Sequence, residues 1–166
     1  MLSLRLNPLP TLTTARLVLR EVRMSDAPEF FAMRSDPEVM RFVRRPLALT
    51  IDDAKAFITR VHDGQRANTC AQWAMTLKGN DPGSGAGTCI GVIGPWRIDP
   101  ENHRGEMGYM LASEHWGQGL MSEAIATVAD HAFGVLGLHS LEAWTQAGNT
   151  ASMRVLEKNG FIREAH

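Results

Sequence analysis

One α/β domain on a single mixed sheet is the fold the sequence predicts, and three observations predict it. Helical patterns come early, strand patterns cluster in the middle, and the last third alternates strand, helix, strand, helix and strand. The 166 residues, 44% hydrophobic and 21% charged, suffice for one core without disulfides. No internal repeat or linker interrupts them, so residues 1–166 are read as one domain.

Composition also sets aside several function classes. A net charge of −1 gives no reason to expect nucleic acid as a partner. No apolar run approaches the ~20 residues of a membrane span, and the N-terminal "MLSLRLNPLPTL" lacks the apolar stretch of a secretory leader. A soluble, cytoplasmic protein is expected. Cys70 and Cys89 fall in neighbouring strand-like stretches and read as buried free thiols, because nothing in the chain suggests an oxidising compartment.

Along the chain, "ARLVLREV" predicts a strand with Leu17 and Leu19 on one face. Ser25 or Asp26 can cap a helix carrying Phe30, Phe31 and Met33, and Ser35 with Pro37 offers a second short start. Thr50 and Asp53 form a capping-box pattern ahead of Ala54, Phe57, Ile58 and Val61, which share one helical face. "CAQWAMTLK", the turn-rich "GNDPGSGAG" and "TCIGVIGPWRI" predict a hairpin, and "RGEMGYMLA" a further strand. A helix follows with Met121, Ala124, Ile125, Val128, Ala132 and Val135 as its stripe, ending near Gly134 and Gly137. "SLEAWTQ" is a short strand, Asn149 caps a helix stopped near Gly160, and "FIREA" begins one more strand.

The stretch "EHWGQGLMSEAI" places Gly117 and Gly119 directly before the long helix. The first amides of a helix have no intrahelical acceptor and carry about half a positive charge, so a glycine loop there can cradle phosphate. No Lys-Ser/Thr pair follows, which excludes a nucleotide P-loop, and a third glycine at dinucleotide spacing is missing. "GSGAG" at 83–87 leads into a strand, which excludes nucleotide binding there. Spacing alone leaves both a phosphate cradle and a plain turn open.

The ordered company of this motif resembles the GNAT N-acetyltransferase superfamily in its RimJ/RimL-like branch. The resemblance is carried by Glu106, Gly108 and Tyr109, by Trp116, Gly117 and Gly119, by Ser122, Glu123 and Ala124, by Asn149 and Ser152, and by the "LEKNGF" stretch. It extends over nearly the whole chain. It implies a mostly antiparallel, splayed sheet flanked by helices, and acetyl-coenzyme A as co-substrate, with no metal. The diphosphate would lie on backbone amides of Trp116, Gly117, Gln118, Gly119, Leu120 and Met121, the glycines clearing space for its oxygens. The pantetheine arm would pair with backbone near Met110 and Leu111, and with Asn149 from the far wall. A backbone N–H near Met110 would hold the developing oxyanion.

Glu106 is the implied general base for an ammonium that must lose a proton before attack. Read without the resemblance, Glu106 is a solvated strand residue. Ser152 is implied as a cofactor contact and as a donor to the leaving thiolate; by itself it is a helix-surface serine. Glu114 stays at the rim. Acceptors in this branch are protein N-terminal α-amines and small amines. Arg41, Arg44 and Arg45, interleaved with Phe42 and Val43, would cover the acceptor, recognising an anion or forming a solvated face. The alternative class is a non-catalytic acyl-coenzyme A sensor that keeps the glycines and Asn149 but does not use Glu106.

The six histidines show no metal-ligand spacing and are expected at the surface or rim. Trp73, Trp96 and Trp144 suit core or pocket walls, with Trp116 in the loop. The resemblance implies a closing strand after the Gly-Phe strand, while the sequence stops at His166. An open sheet edge and a homodimer are the expectation.

Overall fold

A computed structural model describes residues 2, 4–79 and 87–164. Its strands are β1 (Leu12–Thr13), β2 (Leu17–Glu21), β3 (Trp73–Leu77), β4 (Gly91–Asp99), β5 (Arg104–Leu111) and β6 (Ser140–Glu142). They form one sheet in chain order, antiparallel throughout except for the parallel pair β5·β6. A parallel pair needs a long crossover. Helix α4 (Leu120–Gly134) supplies it.

The other helices are α1 (Ala27–Ser35), α2 (Pro37–Met40), α3 (Ile51–Arg66) and α5 (Thr150–Lys158). Period-two alternation divides the core between the two faces of the sheet. Leu17, Leu19, Trp73, Met75 and Ile93 pack with Ile125 and Val128 of α4. Ala74 and Val92 face Phe30, Met33, Ala54 and Ile58 of α1 and α3. With helices on both faces, β3 is buried on both sides, which explains its almost unbroken apolar run.

Several expected details stand. Thr50 and Asp53 form the capping box of α3, and Asn149 caps α5 by accepting from the Ser152 amide. Both cysteines are free, and burial pushes each thiol up to about 12.

Others need correction. Asp36, not Ser35, caps α2, because Ser35 is still helical at the end of α1. Asp26 precedes α1, but its carboxylate is committed to Arg20 and to the Arg23 amide. Val135 lies outside the α4 stripe at 70% exposure, since α4 ends at Gly134. Trp144 is 77% exposed rather than in a wall. His131 is half-buried edge-on to Trp73, not at the rim. Residues 161–164 form no strand: Ile162 is exposed and Arg163 pairs with Glu157 of α5. The loop motif at 83–87 lies outside the described residues except for Gly87.

Candidate active site

Strand β5 pairs with β4 along its whole length, from Arg104 to Leu111, but with β6 only from Arg104 to Glu106. Beyond Glu106 the sheet parts. Backbone groups alternate sides along a strand. The Ala112 amide donates to Ile90 on the β4 side, and the His103 carbonyl accepts from His139 on the β6 side. Even-numbered residues of β5 therefore turn their backbone to β4, and Tyr109 and Leu111 turn theirs into the gap. Of the two residues near which a pantetheine arm is expected, Met110 and Leu111, this parity turns the backbone of Leu111 to the gap and that of Met110 to β4. Met110 pairs with Val92, and its side chain packs toward α1 and α3.

The gap opens beside the start of α4. Gly117 and Gly119 have φ of 70° and 77°, a region open to glycine at little cost. A Cβ at Gly117 would meet nothing within 4 Å, so conformation rather than crowding within the chain requires this glycine. The turn leaves the amides of residues 117–122 without an acceptor among the described residues. The Trp116 amide is not one of them, contrary to expectation, because it donates to Ser113. The Trp116 indole instead donates to the Leu111 carbonyl at 2.8 Å and fastens the loop to the end of β5.

Sequence reasoning missed the residue that secures this loop from the other side. Arg16 bonds the Gln118 carbonyl at 2.8 Å and pairs with Glu123 at 2.9 Å. Glu123 also accepts from the Arg16 amide at 2.7 Å and from Thr14. The shared "SEA" pattern thus ties α4 to the β1–β2 turn. Nothing in local sequence signals a contact more than a hundred residues apart.

Asn149 and Ser152 are brought together in the first turn of α5, where the Asn149 side-chain oxygen takes the Ser152 amide at 3.1 Å. The Ser152 hydroxyl lies 2.6 Å from that of Tyr109, the only tyrosine in the chain. Burial raises the Tyr109 pKa against the opposing bond to Ser152, so the phenol stays protonated at neutral pH. In the sequence Tyr109 is only part of a motif; its partner, 43 residues away, is set in three dimensions.

Glu106 alternates to the opposite face from Tyr109 and is not brought to Ser152. It sits where the strands part, directly opposite Trp96 on β4, and accepts from Arg97 Nη1 at 3.1 Å. Its side chain is 15% exposed. A cavity of ≈ 260 Å³ there is lined by Arg97, Asp99, Arg104, Gly105, Glu106 and Glu142. A carboxylate at such a mouth can accept a proton from an arriving amine. Glu114 lies in the short turn Ser113–His115, and its carbonyl accepts from the Gln118 side chain.

Comparison with known proteins decides the family. The sequence model described as acetyltransferase (GNAT) domain matches residues 16–162. The chain belongs to the GNAT acetyltransferase family. This GNAT chain is 32% identical over 154 residues to the uncharacterized N-acetyltransferase p20 of Bacillus licheniformis, covering 93% of itself and 83% of that protein. Among solved structures it resembles a GNAT-family acetyltransferase from Bacillus anthracis, with TM-score 0.80 and 24% identity over 94% and 86% of the two chains. It also shares its fold with RimL, a ribosomal-protein α-N-acetyltransferase in complex with coenzyme A, at TM-score 0.81 and 17% identity over 94% and 86% of the two chains. The protein is an N-acetyltransferase. No helix among its described residues is long and apolar enough to cross a membrane.

Proposed function

We propose that this GNAT enzyme moves the acetyl group of acetyl-coenzyme A to a primary amine, a protein or peptide α-amine before a small amine, with both substrates bound at once. One observation carries the reading: β5 loses β6 beyond Glu106 beside the bare amides that open α4. The gap offers strand-like backbone groups to the amides of a pantetheine arm, and the amides of residues 117–121 suit a diphosphate. Coenzyme A in the RimL complex supports that choice of donor.

The remaining roles follow from geometry. Glu106 takes the ammonium proton. The freed nitrogen attacks the acetyl carbon, a C–N bond forms, the C–S bond breaks with its electron pair on sulfur, and the nitrogen's second proton leaves to be taken up by that thiolate. The Leu111 amide is the oxyanion donor in place of Met110, because it points into the gap and its own carbonyl is held by Trp116. Ser152 donates to the departing sulfur with the Tyr109 hydroxyl behind it, and Asn149 contributes from the first turn of α5. The same reading places the enzyme in the cytoplasm and pairs two copies through the outer edge of β6, which carries no further strand among the described residues.

The test is Glu106→Gln. Turnover should fall by ~10²–10⁴, with acetyl-coenzyme A affinity by calorimetry nearly unchanged. Equal turnover of the two forms on a good acceptor would refute Glu106 as the base.

A further inference from the structure

The acceptor side carries cations that the transfer step does not use. Arg45, in the loop between α2 and α3, places its guanidinium carbon 5.9 Å from the Trp96 ring centroid. Arg97 lies 4.7 Å from the same ring. Its backbone φ is 46°, which is costly for a residue with a Cβ, and it falls within the register shift between Trp96 and Asp99. A bulge re-aims a side chain. Here it brings Arg97 back over Trp96 and onto Glu106, which engages only Nη1. The Arg97 side chain is 69% exposed, so the rest of its donor fork faces outward.

The positive charge is balanced only in part, by Glu106 at Arg97 and by Asp53 acting on Arg34. Arg45 makes no ion pair among the described residues. Arg34, at the end of α1, has a buried Nε without a partner, and burial followed by repulsion from Arg60 and Arg45 lowers its pKa. The buried Trp96 indole N–H also lacks a partner. Stacking on an aromatic ring accounts for one arginine. It does not account for a second on the same ring, since Arg45 has no carboxylate partner among the described residues and Arg97, held there by an unfavourable backbone, meets Glu106 through Nη1 alone. An anion does.

We propose that the acceptor is an amine with a carboxylate a few bonds from its nitrogen, as in a peptide whose second residue is Asp or Glu, and that Arg45 and Arg97 hold this carboxylate beside Trp96. The inference rests on the acetyl-transfer reading and names the substrate class for it. The arrangement suits both ends of such a molecule. Glu106 faces the ammonium in a cavity it shares with Glu142, which Arg104 already approaches at 3.7 Å, and Arg97 marks the boundary with the cationic side. A guanidinium fork matches a carboxylate in two parallel bonds, which a lysine could not reproduce.

Three peptide amides that differ only in Asp, Asn or Lys at the second position test this, with free aspartic acid as a separate arm. Acetyl-dependent thiol release and calorimetric binding to the coenzyme A-saturated enzyme are both measured. The Asp peptide should exceed the Asn peptide by about tenfold in kcat/KM, mainly through KM, with Lys poorest. In Arg45→Gln the Asp-to-Asn ratio should fall toward one, and in Arg45→Glu the order should shift toward the Lys peptide. An unchanged thermal midpoint confirms that these variants fold. Free aspartic acid acetylated as well as the Asp peptide makes a small amino acid the source of the same chemistry. Thiol release equal for Asp and Asn, or a ratio that survives Arg45→Gln, overturns the inference and leaves acetyl transfer standing. Charge-dependent binding without any thiol release overturns acetyl transfer and leaves the anion site. Neither binding preference nor release overturns the inference.

Discussion

Glu123 lies in the first turn of α4, where a carboxylate already favours the helix dipole. Its larger effect is at a distance, through Thr14 and Arg16. Burial opposes its ionisation, but these bonds outweigh that cost and hold its pKa below the usual carboxylate value. The sign follows from linkage. A carboxylate depressed on folding stabilises the fold above its unfolded pKa, near 4.3, and the gain is lost as pH falls through the folded value. Glu123→Gln should therefore cost about 1–3 kcal/mol at pH 7. The difference from the parent, read by urea unfolding, should shrink as pH drops below about 4; a gap constant with pH would remove the charge argument. Asp26 is tighter still, taking two bonds from buried Arg20 at 2.9 and 2.7 Å. Asp26→Ala leaves that guanidinium alone in the interior and should cost about 3–5 kcal/mol by the same measurement. Neither contact is visible in local sequence, because each joins residues on separate elements.

At the scale of elements, the turn into α4 and the parting of β5 from β6 make the cleft together. The glycine pair was legible in the sequence, and the structure adds a conformational reason for it. The positive φ at Gly117 is a demand of the chain itself, with open space where a Cβ would be. Gly117→Ala should destabilise by about 1–2 kcal/mol and weaken acetyl-coenzyme A binding as the amides turn away. Calorimetry showing full affinity despite the lost stability would separate the turn from the ligand. The strand was legible too, as apolar residues broken by Gly108, yet its outlook was not. A period of two makes Met110 and Leu111 equivalent until the neighbour is known. The bond from Ala112 to Ile90 chooses between them. The expected "FIREA" strand is missing over residues 161–164, where Arg163 is drawn to Glu157 of α5 rather than to the sheet.

For the whole molecule, one sheet covered on both faces separates two tasks. The α4–α5 face carries the turn of unpaired amides and the Tyr109–Ser152 pair, and the opposite face carries Trp96, the arginines and Glu106. Under the proposed function, the two substrates would approach from these different sides and meet where β5 parts from β6. Strand β6 is three residues long and forms the sheet's outer edge among the described residues. Dimerisation through it should appear in light scattering at micromolar concentration as twice the chain mass. A monomer alone would count against that pairing. Both thiols, raised to about 12, should resist alkylation at pH 7.5 in the native enzyme and react only on unfolding.

The sequence by itself determined the class of fold, the order of its elements from β2 to α5, the caps of α3 and α5 and the glycine turn, because all of these depend on neighbours within a few residues. It also carried enough ordered motif to indicate the family. Only the tertiary structure decided which β5 amides face the cleft, that Arg16 and Glu123 clamp the loop, that Tyr109 stands behind Ser152, and that two arginines converge on Trp96. Those are pairings between residues from 43 to 107 positions apart for the clamp and the hydroxyl pair. Contacts at such separations are fixed by how the sheet and helices pack, and no local pattern encodes them.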